Sequence, residues 1–313
     1  MSPRSRERGH PVKPIATARR HPWLVALSTA LLCGGAGWAL AGPAAPSARP
    51  SGATAELAEL KADVPLNRVL YTPTDADVRV SVAKQRLITN CMADKGFDYQ
   101  PPPVPRASAA DVEYPKPFGL EPTVRGGSQQ STERLREKKR SKAFSRALFG
   151  DPDRRISVKG KELKVTRPAT GCQADAERRL SGNARVRLLE LRLQLGDGEK
   201  HSRGAVAKDP DLRKVNRAWQ KCMARAGHVQ KNPMRVIKKL KPGEDVRKSP
   251  LAQADLECKE TTDYLATAYK ALASAQRHWL GEHSKAFAEW KALNRRQQAA
   301  AREILEVDAG PRS

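Results

Sequence analysis

A few short segments of the chain have the residue types and spacing of a serine acyl-enzyme. Ser81 and Lys84 stand in the order Ser-x-x-Lys, in which a lysine base activates a serine nucleophile. Ser181-Gly182-Asn183 fits the second element of a penicillin-recognising site. The third element should be Lys-Thr/Ser-Gly on a strand, and the nearest match is Lys248-Ser249-Pro250. Its proline lacks the main-chain N–H that a strand would donate. The alternative is a solvated Ser/Lys pair on a helix, so catalysis by Ser81 and Lys84 is a hypothesis.

The histidines and aspartates lack the spacing of a metal site. His278 and His283 are five positions apart, about 140° around a helix, so they cannot bind one metal as i and i+4 partners do. Asp151-Pro152-Asp153 and Asp209-Pro210-Asp211 could suggest calcium, but Asp-Pro-Asp is also an ordinary helix start. The sequence has no Cys-x-x-Cys and no Cys/His cluster. We therefore expect neither a metal nor another cofactor.

A short phrase containing a cysteine occurs twice. Cys91–Gly96 has the sequence CMADKG and Cys222–Gly227 has the sequence CMARAG, and each copy precedes a later cysteine, Cys172 or Cys258. Without Cys33, which lies in the export signal described below, the cysteine number is even, which favours two disulfides over buried thiols. Three pairings are possible, and the repeat favours Cys91–Cys172 and Cys222–Cys258. In the chain-entropy model each bridge contributes about 4 kcal/mol.

Helix start and stop signals surround both copies of the phrase. Thr74 begins a segment whose apolar residues recur at helical spacing, and Gly96 ends it as a C-cap glycine does. Asp209-Pro210 begins a second helix, which ends at Gly227. Further helices are predicted over 171–180, over 186–195 and from Ser249-Pro250 onward.

The C-terminal segment, residues 262–308, is predicted to be a long helix. It contains no proline and a single glycine, Gly281, where we expect a bend. Apolar residues recur every seven positions, but the companion positions include Glu282 and Glu289, so only half of a coiled-coil seam is present. The segment is expected to dock along the bundle, with a separate partner helix as the alternative. The series is Leu265, Leu272, Trp279, Ala286, Leu293, Ala300 and Val307.

Together these signals predict an all-α protein, an irregular disulfide-braced helical bundle with a long C-terminal helix. The bundle occupies residues 74–313 and consists of two related halves, at about 74–195 and 205–313. Residues 42–73 are expected to form a tether and a weak helix. Strand signals are confined to residues 156–165, which could pair as a small hairpin around Gly160.

The first 41 residues have the pattern of an export signal. A basic stretch precedes an apolar run from Trp23 to Ala41, and Ala39-Leu40-Ala41 resembles a cleavage site. A cleaved signal peptide is the first interpretation, and an uncleaved anchor in a transmembrane helix is the second. In either case we expect an exported protein, secreted or tethered at the outer face of the cytoplasmic membrane.

The chain is strongly basic. Residues 1–41 hold six basic residues and one acidic residue, so the formal charge of +24 falls to +19 without them. Outside the cell, such a protein is attracted to an anionic envelope polymer or lipid surface, although solvated arginine-rich helices are the alternative. Aromatic residues are not interleaved with the basic runs, so specific nucleic-acid binding is not expected. The candidate basic surface, in loops between the paired cysteines, comprises Lys138, Lys139, Arg140, Arg235, Lys238, Lys239 and Lys241.

Four segments, each of which contains a cysteine, give the chain a resemblance to a known protein family. Their order resembles that of uncharacterised exported proteins of high-GC actinobacteria. The resemblance extends over about residues 75–300 and implies export and a helical framework, with no catalytic site. The matching segments are Cys91–Tyr99, Gly171–Leu180, Trp219–Gly227 and Asp255–Cys258.

Two functional hypotheses follow from the sequence. The first is an exported, non-catalytic protein that binds envelope polyanions through basic loops or has a structural role in the envelope. The second is an exported hydrolase or acyl-transferase that uses Ser81 and Lys84. The ligand and the oligomeric state are left open.

Overall fold

Helices make up most of the part of the chain that the structure describes. The structure, a computed structural model, describes residues 52–105, 112–122, 141–241 and 244–307, all within one compact unit, Ala48–Ser313. The predicted export signal and three residues of the predicted basic surface, Lys138, Lys139 and Arg140, lie outside the described residues. The elements are α1 (Gly52–Ala62), α2 (Pro65–Leu70), α3 (Asp75–Asp94), α4 (Lys142–Phe149), β1 (Arg155–Lys159), β2 (Lys164–Pro168), α5 (Cys172–Ser181), α6 (Arg185–Val206), α7 (Pro210–Arg225), α8 (Pro233–Lys239), α9 (Pro250–Thr261), α10 (Tyr264–Glu282) and α11 (Ser284–Val307).

The predicted fold class, all-α and braced by disulfides, is confirmed. The two strands form one antiparallel hairpin, in which Ser157 is paired with Thr166. Gly160 begins the connecting turn, where its main-chain nitrogen donates to the Leu163 carbonyl at 2.8 Å. The expected hairpin around Gly160 is therefore present.

Both copies of the repeated phrase end a helix in the same way. Gly96 has φ of 76°, which is costly for residues with a Cβ, and its main-chain nitrogen donates to Ala93 O. The nitrogen of Phe97 donates to Met92 O at 2.9 Å, which completes a Schellman motif. Gly227, with φ of 80°, ends α7 through the same two bonds. The phrase is thus a helix terminus used twice.

Two disulfides connect the helices that end in this phrase to later helices. Cys91 in the last turn of α3 is bonded to Cys172, the first residue of α5. Cys222 of α7 is bonded to Cys258 of α9. These are the pairings that the repeat favours. Each bridge borders a hydrophobic cluster, and a buried methionine (Met92 or Met223) belongs to each cluster.

The C-terminal helical segment is divided at a single residue, His283. The imidazole of His283 stacks on the Trp279 ring with 4.0 Å between centroids, and its main-chain nitrogen donates to Trp279 O. α10 packs on α6, α7 and α9, whereas α11 packs on α3, α5 and α6. The break lies two residues after Gly281, where we expected a bend. Because α11 contacts α3 and α5, the packing crosses the division between the two proposed halves.

Three segments differ from the sequence-based expectation. α6 continues to Val206 instead of ending at Leu195, and Gly198 allows this part of the helix to pack closely on Trp279 of α10. Asp151-Pro152-Asp153 forms a turn before β1, in which the Asp151 carboxylate accepts from the Asp153 nitrogen, and not a helix start. The basic loop after Gly227 contains α8. Within the described part of the chain, no helix is long and apolar enough to cross a membrane.

Candidate functional site

Ser81 and Lys84 share helix α3 but are engaged by different partners. The Ser81 hydroxyl is exposed and donates to the Asp77 carbonyl at 3.0 Å. The Lys84 ammonium donates to the Glu177 carboxylate at 2.7 Å. Ser181, from the proposed second element, accepts a bond from Gln297. This geometry places no base at the Ser81 hydroxyl within the described residues.

The partner of Lys84 belongs to a structural ion-pair cluster between α3, α5 and α6. Glu177 also accepts from Arg185, whose guanidinium lies 2.6 Å from its carboxylate. Burial acts to raise the pKa of Glu177, but the hydrogen bonds and charges of Lys84 and Arg185 outweigh burial and lower that pKa below its usual value. The Lys84 side chain is therefore engaged by Glu177 of α5 and not by the Ser81 hydroxyl, which a general base would have to contact.

His278, in the last turns of α10, and His283, at the break after this helix, contact different partners. The His278 ring lies 3.3 Å from the Glu282 carboxylate at an exposed position, while His283 is stacked on Trp279. Within the described ranges, no three His, Cys, Asp or Glu side chains are grouped so that they could hold a metal ion.

Helix α8 holds the described part of the predicted basic surface. The Asn232 side chain caps it by accepting from the Met234 nitrogen at 2.7 Å, and Pro233 occupies the first turn. Val236 is fully buried and anchors the helix on the core. Because one face is held in this way, the remaining residues of this short helix point to solvent.

Four of the predicted cations are exposed on α8 and just after it. Arg235, Lys238 and Lys239 form no ion pair with any carboxylate that the structure describes. Lys241 differs, because its main-chain nitrogen donates to the Glu244 carboxylate at 2.7 Å. Unpaired cations held on a fixed backbone attract an anion more effectively than a mobile tail, because their ordering entropy is already lost on folding. The four exposed cations of the predicted basic surface are Arg235, Lys238, Lys239 and Lys241.

A groove of about 350 Å³ borders the N-terminal end of α8, which places it within the usual size range of ligand sites. We call it the α7–α8 groove. Its cations are Arg203 near the end of α6 and Arg213 and Arg217 on one face of α7, and no Asp or Glu among the described residues lines it. Its apolar and amide lining includes Phe118, Val206, Leu212, Asn216, Gln220, Met234 and Tyr264.

The arginines of this groove were not predicted from the sequence. Arg213 and Arg217 are four apart, so they lie on the same side of α7. That spacing was the available signal, but a pair of arginines on a solvated helix is common in so basic a chain. Arg203 and the Phe118 segment join them only through the packing of distant elements.

The wall of the groove is held by a buried polar network. The Trp219 indole donates to the Asp255 carboxylate at 3.0 Å, and the Lys259 ammonium donates to the same carboxylate at 2.7 Å and to Leu120 O at 2.7 Å. Desolvation raises the pKa of Asp255 and lowers that of Lys259, and it outweighs their mutual attraction. Trp219 lies three residues before Cys222 on α7, and Asp255 lies three residues before Cys258 on α9. The disulfide and the Trp219–Asp255 hydrogen bond therefore connect the same faces of the two helices.

A second buried carboxylate holds residues 112–122 against the bundle. Glu121 lies 2.7 Å from the Lys61 ammonium and accepts a hydrogen bond from the Tyr269 hydroxyl. Burial, followed by the Glu121 charge, raises the pKa of Tyr269, so the phenol remains a donor. The Tyr269 ring packs edge-on against Phe118 with 5.1 Å between centroids. The segment therefore presents Phe118 to the groove in a fixed position.

A second cavity, of about 640 Å³, lies on the other side of α7. Three carboxylates line it together with two ammonium groups: Asp209, Asp211, Asp263, Lys214 and Lys270. Because carboxylates and ammonium groups are mixed there, the cavity has no dominant charge to select a ligand.

The two disulfides indicate an oxidising, extracytoplasmic environment. The known proteins provide no further constraint on the site. No protein-family model, no curated protein and no solved structure matches this chain.

Proposed function

We propose that the protein is an exported, non-catalytic binding module of the cell envelope that holds envelope polyanions on its basic surface. The observation that carries the proposal is the set of exposed cations on α8, Arg235, Lys238 and Lys239, which form no ion pair with a described residue. These cations are part of a formal charge of +19 for the chain after residue 41, out of +24 in total.

The disulfide framework supports this function. α7 and α9, which flank α8 in the chain, are bridged by Cys222–Cys258, so the basic surface is attached to a braced core. A polyanion such as a wall polymer with repeated phosphates offers closely spaced negative charges to such a surface. Binding of this kind needs no pocket and depends on ionic strength, because salt screens exposed charges.

The test is a pull-down of the exported protein, with both disulfides formed, on purified cell wall over a series of salt concentrations. The triple variant Arg235→Gln, Lys238→Gln, Lys239→Gln should bind less tightly and show a shallower salt dependence. The matched control removes three exposed lysines of the hairpin, Lys159, Lys161 and Lys164, by the same change to glutamine. Equal loss in both triple variants, or binding unaffected by salt, would contradict the role of α8.

A further inference from the structure

The α7–α8 groove combines positive charge with an apolar floor. Arginine is suited to phosphate because its planar guanidinium can donate two parallel hydrogen bonds to the phosphate oxygens. Three arginines line this groove, and no acidic side chain among the described residues does so. The groove therefore selects an anion by charge.

Two of these arginines are free to meet a ligand. Arg213 and Arg217 are exposed and form no ion pair with a described residue. Arg203 has only a distant partner, Glu199, at 3.9 Å, and that carboxylate also accepts a hydrogen bond from the Tyr71 hydroxyl at 2.8 Å. Like charges four apart on a helix repel each other, and a bound anion relieves that repulsion.

The remaining lining argues against a purely hydrophilic ligand. Phe118, Val206 and Leu212 line the groove but are at most 8% exposed, so the apolar surface that can reach a ligand comes mainly from Met234, which is 39% exposed. An inorganic anion or a sugar phosphate would leave that side chain in contact with water. A ligand with an anionic group next to a hydrocarbon chain satisfies both parts of the lining.

Helix α8 extends the combination of positive charge and exposed apolar side chains beyond the groove. Met234 lines the groove, and Ile237, one turn later, continues the same helix face; they are 39% and 40% exposed. Lys238 and Lys239 follow directly. Exposed apolar side chains among cations are typical of helices that lie at a membrane interface, where each cation adds attraction to anionic headgroups.

We propose that the α7–α8 groove binds the phosphate headgroup of an anionic phospholipid, with Met234 and Ile237 resting on the acyl region of the lipid surface. The proposal rests on the proposed function and narrows its ligand class from envelope polyanions to a lipid surface. No covalent step is involved.

The test compares vesicles of phosphatidylcholine with vesicles in which about 30% of the lipid is phosphatidylglycerol. Wild-type protein should co-sediment with the second kind alone. The variant Arg213→Gln, Arg217→Gln should weaken this binding by roughly tenfold to thirtyfold, because each cation near an anionic surface contributes about a fivefold factor. The wild type and all variants are used as the exported protein, so they share the same N-terminus and any lipid binding by it is common to the whole series.

Two further variants separate lipid from polymer. Met234→Ser, Ile237→Ser keeps every charge and should weaken vesicle binding at least fivefold while leaving cell-wall binding unchanged. The matched control, Lys214→Gln, Arg225→Gln, removes two exposed cations of α7 that do not line the groove and should bind vesicles nearly as wild type does.

Three results would overturn the lipid proposal. The first is wild-type affinity of the Met234/Ile237 variant for phosphatidylglycerol vesicles. The second is displacement of the protein from the vesicles by free glycerol phosphate at the same concentration at which phosphatidylglycerol itself displaces it. The third is cell-wall binding without any vesicle binding, which leaves the proposed function standing, whereas loss of both kinds of binding refutes the proposed function as well.

Discussion

Replacing Gly198 of α6 by alanine tests the central contact of the bundle. A Cβ built at Gly198 would lie 2.6 Å from three atoms of the Trp279 ring on α10. That ring is 5% exposed and is stacked on His283, so it cannot move aside freely. Overpacking of this kind costs about 1–3 kcal/mol. Alanine also removes the helix penalty of glycine, which is about 0.8–1.0 kcal/mol.

The same helix contains matched controls. Cβ atoms built at Gly196 and Gly204 meet nothing within 4 Å, so their alanine variants gain the helix propensity without a clash. We expect Gly196→Ala and Gly204→Ala to raise the free energy of unfolding by up to about 1 kcal/mol. Gly198→Ala should be about 1–3 kcal/mol less stable than Gly196→Ala.

Urea denaturation of the oxidised protein measures this difference. With an m-value of roughly 2 kcal/mol per molar urea, the midpoints of the two variants should differ by about 0.5–1.5 M. In a Trp279→Leu background the two alanine variants should become equivalent, because the clashing ring is gone. Equal midpoints of Gly198→Ala and Gly196→Ala in the wild-type background would refute the close packing of α6 on α10.

Three further predictions concern the buried polar groups and one disulfide. In urea denaturation, Lys259→Met should lower the free energy of unfolding by about 3–5 kcal/mol, because it leaves the buried Asp255 carboxylate without its cation. Adding Asp255→Asn to the same chain removes that unpaired charge and should recover part of the loss. Replacing Cys222 and Cys258 by alanine should cost about 3.8 kcal/mol by the same assay, for a sequence separation of 36; an unchanged midpoint would contradict the bridge. Because the ion pairs lower the pKa of Glu177 in the folded protein, its stabilisation is fully present above its ordinary pKa and is lost as the pH falls through the lowered value. Unfolding measured from neutral to acidic pH should show the stability gap between wild type and Glu177→Gln closing only on the acidic side.

Much of the secondary structure was predictable from short-range signals. Thr74 caps α3, and the Asp77 side chain completes a capping box with it, so the start of this helix is determined within four residues. Asp209 caps α7 in a similar way through the Leu212 nitrogen. α8 was missed because a helix of only seven residues, capped by Asn232 within a basic, proline-containing stretch, resembles a loop in the sequence. α6 was predicted too short because its glycines favour an early end, and packing overrides that preference.

Less of the candidate site than of the secondary structure was predictable from the sequence. The α8 cations were identified from composition, because a basic stretch between cysteines is visible without any fold. The serine and lysine of α3 were also visible, but their spacing carries no information on Glu177, which comes from α5 and holds the lysine amine at 2.7 Å. A catalytic pattern on a helix therefore could not be distinguished from an ion pair at the level of sequence.

The sequence by itself determined the helical class, the positions of the main helix ends and the favoured cysteine pairing. Each of these depends on residues within a few positions of one another, or on a repeat that can be recognised along the chain. Only the tertiary structure decided that Arg203, Arg213 and Arg217 share a groove with Phe118, and that the C-terminal segment breaks at His283 to cover different sets of helices. Those arrangements come from contacts between elements far apart in the chain, which hydrophobic burial drives and no local pattern encodes.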